Sequence, residues 1–169
     1  MQALDAVLRA RDLLQSLTPL RKDCGSICGA ACCAPDEDGQ GGMLLFPGED
    51  ALYSPLPDGF SLTPNDSVMP GMQLLTCSGS CDRALRPLAC RMFPLTPVLS
   101  LRDGHEHLTV RMDPRAFAVC PLCSGGIRGM DSAFTHAVLQ CTRILNECPE
   151  HHAYFRALDL YFQKLRSWN

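Results

Sequence analysis

The distribution of cysteine constrains this sequence more than any other feature. The chain has 169 residues and eleven cysteines, so at least one cysteine has no partner for an intrachain disulfide. Nine of them lie in three groups that are far apart along the chain. These nine are Cys24, Cys28, Cys32 and Cys33; Cys77, Cys81 and Cys90; and Cys120 and Cys123.

The rest of the sequence predicts a reducing compartment for these thiols. Charged residues interrupt the apolar residues between Met1 and Leu17, which is not the pattern of a secretory signal. No apolar stretch approaches the ~18 residues that span a bilayer. We therefore expect a cytoplasmic protein that does not bind membranes, where disulfides are disfavoured and clustered cysteines bind metal or carry out redox chemistry. The net charge of −3 and the scattered basic residues predict no nucleic-acid partner.

The cysteine spacing indicates a metal centre. Zinc takes about four nitrogen or sulfur ligands, and iron–sulfur clusters commonly take four thiolates. Pairs separated by two or three residues, drawn from distant segments, are the usual source, so all nine grouped cysteines are candidate ligands. Cys24, Cys28 and Cys32 would share one face if their segment were helical. Neighbouring residues seldom face one metal, so Cys32 and Cys33 either supply one ligand or serve two metals.

Two arginines lie beside the third cysteine of the second group. Arg86 and Arg91 flank Cys90 in the string Leu85-Arg86-Pro87-Leu88-Ala89-Cys90-Arg91. Four thiolates around one Zn²⁺ carry a net charge of −2, which nearby guanidinium groups would offset while donating hydrogen bonds to sulfur. Both arginines are therefore candidates for a supporting role around the metal.

These motifs resemble the CxxCxxCC family, which is described as zinc- or iron-chelating and is sometimes labelled as iron–sulfur oxidoreductases. The resemblance covers roughly residues 24–123. It departs from the family in the first cluster, where the spacings are three residues rather than two. The resemblance implies metal binding more than any particular reaction. It rests on the first cluster, on Cys81, on Arg86, Pro87, Cys90, Arg91, Phe93 and Pro94, and on Cys120 with Pro121.

The hydrophobic pattern predicts a small, helix-rich α+β domain with long loops that metal holds together. Residues 1–169 form one domain, with a metal-binding part at about 24–123 and a helical part at about 130–168. The N-terminal helix ends before Pro19. Its proposed apolar face consists of Leu4, Val7, Leu8, Leu14 and Leu17.

The middle of the chain predicts short strands among loops. Met43 to Phe46 and Gln73 to Thr76 are strand candidates, whereas residues 35–42 and 53–70 are rich in turn formers and predict loops. Residues 95–113 predict a hairpin, because two alternating apolar segments flank the pair Asp103-Gly104.

The last forty residues predict two helices. Asp131 or Ser132 would cap the first, and Pro149 would begin the second. Cys141 and Cys148 lie on the apolar stripe of the first helix and are predicted to be core residues rather than ligands. His136, His151 and His152 are expected at the surface.

The functional hypotheses that follow all rest on thiolates. The first is a protein in which zinc has a mainly structural role. The alternatives are an iron–sulfur protein with electron-transfer or oxidoreductase function, and a thiol-based metal carrier. No catalytic constellation stands out, so an enzyme is not the favoured interpretation. The expected partner is a metal ion, while its identity, the number bound and the oligomeric state stay open.

Overall fold

The C-terminal helices form where their capping residues predict them. In the computed structural model, which describes residues 1–34, 42–79 and 81–167, helix α4 spans Ser132–Asn146 and helix α5 spans Pro149–Ser167. The side chain of Asp131 accepts a hydrogen bond from Ala133 N at 2.9 Å and satisfies one of the free N–H groups of α4. Both helices bury apolar stripes in one shared core. The two-helix prediction is confirmed.

The N-terminal helix is shorter than its apolar pattern predicts. Helix α1 spans Ala3–Leu13 and packs against α4. Its buried face carries Ala6, Val7 and Ala10, and Leu14 follows just after the helix. Leu8 is 41% exposed, so its assignment to the buried face is wrong. Small alanines make the contact instead, which brings the two helix backbones closer together.

The predicted hairpin is present. Strand β4, Leu95–Arg102, pairs in antiparallel register with strand β5, His105–Met112. The turn residues Asp103 and Gly104 have φ values of 51° and 76°, the left-handed pair that a two-residue type I′ turn requires. The hairpin packs against α4 and α5. It therefore joins the helices in a single α+β core.

A second, small antiparallel sheet occupies the middle of the chain. Its strands are β1, Met43–Leu44, β2, Phe60–Pro64, and β3, Gln73–Cys77, in the order β1-β3-β2. The short strands at Met43 and Gln73 are confirmed, but the prediction of loops throughout residues 53–70 is wrong at β2. There Phe60 and Leu62 alternate with exposed Ser61 and Thr63, a strand pattern that the surrounding prolines obscure.

This sheet has its own apolar cluster, which consists of Leu45, Tyr53 and Leu75. The middle of the chain is thus less dependent on cross-links than its proline content suggests. None of the helices in the described ranges is both long and apolar enough to cross a membrane. Residues 35–41 of the predicted loop and the end of the predicted C-terminal helical part at Trp168 lie outside the described residues.

Candidate metal centre

Eight of the nine grouped cysteines line two adjoining cavities. The smaller cavity has a volume of about 60 Å³ and the larger cleft about 550 Å³. The two share four residues, which are Cys32, Arg86, Cys90 and Phe93. Cys24, Cys28 and Cys120 line only the smaller cavity, whereas Cys33, Cys77 and Cys81 line only the larger cleft. The fold therefore brings together cysteines from distant parts of the chain, and Cys123 lines neither cavity.

The first cysteine segment is only briefly helical. Helix α2 is a single turn, Gly25–Cys28, and the thiol of Cys28 donates to the carbonyl of Cys24 at 3.6 Å. Gly29 and Ala30 then have φ values of 62° and 55°. Two consecutive left-handed residues turn the chain away from the helix axis. The prediction that Cys32 shares a helical face with Cys24 and Cys28 is therefore wrong, although Cys32 reaches the same cavity from the 3₁₀ turn Ala31–Cys33.

The second cysteine group is held by regular structure at both ends. Cys77 is the last residue of β3 and pairs with Phe60 of β2. Cys90 lies in helix α3, Leu88–Met92. The first N–H of that helix, at Leu88, donates to Glu49 Oε1 at 2.7 Å. Glu49 is thus a cap supplied from a distant segment for the helix that carries Cys90.

The third cysteine group follows strand β5, and its Cys120 reaches the smaller cavity. Cys120 precedes the 3₁₀ turn Pro121–Gly125, which begins with proline and buries none of its residues. The charge of Cys120 raises the pKa of Cys24, so the two sulfurs lie near each other. Cys123 hydrogen-bonds with Cys120, and burial together with the Cys120 charge raises the pKa of Cys123 to about 11. Cys123 is therefore a neighbour of the cavity rather than part of its wall.

Arginine side chains fix the loop between Cys81 and Cys90. Arg11 donates to the carbonyls of Arg86 and Ala84 at 2.9 and 2.8 Å. Arg91 donates to the carbonyls of Arg86, Arg83 and Ala84 at 2.9 to 3.1 Å. Tyr53 donates to the remaining carbonyl of this stretch, at Leu85, at 2.9 Å. All carbonyls of residues 83–86 are thereby bonded by side chains from elsewhere, which fixes the path of this stretch around its 3₁₀ turn Arg83–Leu85.

Arg83 anchors the same loop to the end of α1. Its guanidinium donates to the carbonyl of Gln15 at 2.8 Å and of Leu14 at 3.1 Å, and it also contacts the carbonyl of Leu17. Burial lowers the pKa of Arg83 below its ordinary value, but the guanidinium keeps its charge at neutral pH. The cysteine-bearing loop and the N-terminal helix are therefore one connected unit.

Arg86 differs from the other arginines because its side chain faces the thiols. Its charge favours the thiolate form of Cys81, Cys24 and Cys33. Its Nε is buried and has no hydrogen-bond partner among the described residues. Arg91, by contrast, is 8% exposed and donates its hydrogen bonds to backbone carbonyls. The structure thus places Arg86 against sulfur and Arg91 behind the loop.

The thiols shift one another's acidity. Burial first, then the charges of Cys33 and Cys81, raises the pKa of Cys90. Burial and the charge of Asp23 raise the pKa of Cys24. The neighbouring thiol of Cys32, helped by the charge of Arg86, lowers the pKa of Cys33 to about 6 against the effect of burial, and the pKa of Cys32 rises in turn. Burial raises the pKa of Cys81 despite the nearby Arg86 charge.

The donor set is chemically uniform. Within the described residues, the two cavities are lined by thiols and by no histidine or carboxylate side chain. In that same part of the chain, no three Cys, His, Asp or Glu side chains form a group that could hold a metal ion. The sulfurs lie on the cavity walls rather than around a common point. The arrangement brings soft ligands together without closing a coordination sphere.

Several supporting residues escaped the sequence analysis. Glu49 is fully buried, and burial raises the pKa of its carboxyl although Leu88, Phe46 and Arg11 stabilise its charge. The sequence contains a signal for the role of Arg11, because its position four residues after Val7 and three before Leu14 puts it on the apolar face of α1. A charge on the buried face of a helix indicates a buried partner.

The remaining predictions concern residues away from the cavities. Cys141 and Cys148 are completely buried in the main core, which confirms their core placement. His136 is exposed and His152 half-buried. His151 is fully buried, so its predicted surface position is wrong. It lies one turn before Phe155 on the inner face of α5, and its ring nitrogen Nε2 lies 3.0 Å from the carbonyl of Ala3.

Comparisons of this chain with protein-family models, with curated proteins and with solved structures found no match.

Proposed function

We propose that the protein binds metal through cysteine thiolates, and that the metal is zinc in a mainly structural role. The observation that supports this proposal most strongly is the shared cysteine lining of the two cavities. Sequence segments up to about a hundred residues apart contribute to it, from Cys24 to Cys120. Core packing does not explain these eight thiols, because they line cavities and none is fully buried, whereas Cys141 packs as a small apolar residue in the core.

The chemistry of the walls fits this proposal. Soft thiolate ligands select zinc, Cu(I) and iron–sulfur clusters over calcium and magnesium. A four-thiolate zinc site carries a net negative charge, which the Arg86 guanidinium would offset. The buried Nε of Arg86 would gain a sulfur acceptor in such a site.

Ligation requires the sulfurs to move from the walls toward a common point. Each cysteine has a single side-chain torsion that places its sulfur, and staggered wells are separated by small barriers. Cys28 and Cys120 lie in or beside short turns that bury no residue, whereas Cys77 ends strand β3 and Cys90 lies in helix α3. Metal would therefore draw the sulfurs of Cys28 and Cys120 toward those held by regular structure.

The sparse apolar burial at two cysteine segments supports a structural role, although the half-buried Leu122 of Pro121–Gly125 packs against the main core. Neither α2 nor the 3₁₀ turn Ala31–Cys33 has a buried residue, and neither does the turn Pro121–Gly125. Ordering backbone costs about 1–2 kcal/mol per residue, so these segments need an energetic source besides apolar burial. Zinc binding in small peptides supplies ~10–16 kcal/mol, which is sufficient.

The proposal includes a reducing compartment such as the cytoplasm. All eleven cysteines are free thiols in the structure. Thiolate ligands must stay reduced to bind zinc, and the cytosol keeps thiols in that state.

The resemblance to the CxxCxxCC family becomes part of the same proposal. The string that carries it has a defined arrangement, in which Arg86 contacts Cys81, Cys90 lies in α3 and Arg91 secures the loop carbonyls. These arrangements suit a motif whose purpose is to present thiols. We propose membership on that ground.

The size of the larger cleft favours one alternative. A volume of about 550 Å³ beside Cys33, Cys77, Cys81 and Cys90 exceeds what a single ion needs. An iron–sulfur cluster, with an electron-transfer or oxidoreductase function, would use the same four thiolates. The two functions differ in a visible property, since iron–sulfur proteins are brown and zinc proteins are colourless.

Purification of the full chain without oxygen, followed by elemental analysis and a visible spectrum, tests the proposal. We expect bound zinc, no visible absorption, and a lower zinc content in Cys77→Ser but not in the core variant Cys141→Ser. Under the iron–sulfur alternative, the protein would contain iron and acid-labile sulfide instead of zinc. Protein that is pure, folded and free of any transition metal would contradict both.

A further inference from the structure

Six of the grouped cysteines divide into two sets of three, each on its own cavity. Cys24, Cys28 and Cys120 line only the smaller cavity. Cys33, Cys77 and Cys81 line only the larger cleft. Each cavity therefore has three cysteines of its own, one fewer than a four-thiolate centre needs.

The adjacent pair Cys32-Cys33 marks the boundary between the sets. Cys33 lines only the larger cleft, whereas Cys32 lines both cavities and is influenced by Cys24 as well as Cys90. Cys90 likewise lines both cavities. Two of the eight cysteines are thus placed to complete either set.

We propose that the protein has two separate thiolate metal centres, an outer one on the smaller cavity and an inner one on the larger cleft. This inference rests on the proposed function and adds the number of centres and the ligands of each. The outer centre uses Cys24, Cys28, Cys32 and Cys120. The inner centre uses Cys33, Cys77, Cys81 and Cys90, and Cys123 belongs to neither.

Arg86 lies between the two centres. It lines both cavities, and its buried Nε has no hydrogen-bond partner among the described residues. Two four-thiolate zinc centres would together carry a charge of about −4, since each contributes about −2. A guanidinium between them reduces their mutual repulsion, which makes close placement of two anionic centres feasible.

Zinc counting on the intact chain tests this division. Metal-free protein is reloaded with Zn²⁺ alone, and its mass is measured by native mass spectrometry. The helical signal in circular dichroism checks that the protein is folded. We expect about two zinc ions per chain, because eight thiolates fill two tetrahedral sites. Cys77→Ser and Cys120→Ser should each lose one of these ions, while Cys123→Ser should keep both. A wild-type chain that binds a single zinc overturns the inference and leaves the proposed function intact, whereas one that binds none contradicts the proposed function itself.

A second measurement needs no variant and covers the case in which a substitution prevents folding. A limiting amount of chelator removes part of the zinc from the wild-type protein, and a thiol-alkylating reagent then labels the released cysteines for peptide mapping. We expect the four members of one set to become labelled together while the other four stay protected. Labelling that mixes Cys24 or Cys120 with Cys77 or Cys81 at equal rates would overturn the two-centre assignment.

Discussion

Arg11 and Glu49 form a buried ion pair that connects the N-terminal helix with the cysteine-bearing loop. Arg11 Nη1 lies 3.1 Å from Glu49 Oε1, and the two side chains are 13% and 0% exposed. Glu49 also accepts from Phe46 N at 3.1 Å and from Leu88 N at 2.7 Å. The pair therefore links α1, the strand region after β1 and the start of α3.

Replacement of Arg11 by methionine should strongly destabilise the protein. It leaves the Glu49 carboxylate buried without its cation, and loss of one partner of a buried pair costs about 3–5 kcal/mol. It also removes the donors to Ala84 and Arg86. Urea unfolding measures the change, and Arg9→Met on the exposed side of the same helix is the matched control. Equal unfolding midpoints for the two variants would contradict this account of the pair.

The stability of the protein should fall below about pH 6.5 because of His151. Burial lowers the pKa of His151, against the smaller effects of its contact with the Ala3 carbonyl and of the Glu150 charge. The ring is therefore neutral in the folded protein, and its Nδ1 is buried with no partner among the described residues. The unfolded chain takes up a proton near the ordinary histidine pKa of about 6.5 while the folded chain does not.

The sign of this effect is that acid favours the unfolded state. Stability should decline by up to about 1.4 kcal/mol per pH unit from this one group, between the unfolded and folded pKa values. Urea midpoints at pH 7.5 and 5.5 measure the decline in wild type and in His151→Gln, which should show a smaller slope. His136→Gln, at an exposed site on α4, should keep the wild-type slope. A slope that is unchanged in His151→Gln would show that the group titrates normally.

Replacement of Cys141 by alanine should affect stability and leave the metal content unchanged. The residue is fully buried, and its thiol donates to the Ala10 carbonyl at 3.2 Å between α4 and α1. Loss of this packing and bond should cost about 1 kcal/mol, a typical value for a single substitution. Elemental analysis checks the metal, and loss of an equivalent from Cys141→Ala would place this cysteine among the ligands.

Replacement of Arg86 by methionine should weaken metal binding about 10- to 100-fold, as is typical when a group that supports the ligands is removed. The variant keeps the aliphatic stem but removes the positive charge that favours the thiolate form of Cys81. Competition with a chelator of known zinc affinity measures the change. Arg128→Met, an exposed position in the 3₁₀ turn Ile127–Gly129, is the control. Identical affinities in the two variants would remove Arg86 from the centre.

Local sequence signals predicted the elements whose causes are local. Asp103-Gly104 marked its turn because both residues adopt left-handed backbone, and Asp131 marked the start of α4 because its side chain caps the helix. The strand at Phe60 was missed because nearby prolines dominate its pattern, although its pairing with β3 decides the outcome. Tertiary pairing can override local preference in this way.

The candidate site was predictable in its ligand types but not in its construction. Spacing identified the cysteines, yet only the fold shows that Cys32 reaches both cavities and that Cys123 reaches neither. The contacts of Arg83 with the end of α1 join residues almost seventy positions apart, which no local pattern encodes. His151 likewise is buried by its packing partners, including Phe46, rather than by its neighbours in sequence.

Hydrogen exchange with and without a strong chelator tests the central claim, that metal held by thiolates orders the cysteine segments. We predict that chelation abolishes protection in Gly25–Cys28, Ala31–Cys33 and Pro121–Gly125, which bury no residue of their own. Protection should weaken less in β3, which shares the cluster of Leu45, Tyr53 and Leu75, and should persist in α4 and α5. Equal protection of the cysteine segments in metal-bound and metal-free protein would contradict a structural metal and favour a transfer or catalytic role.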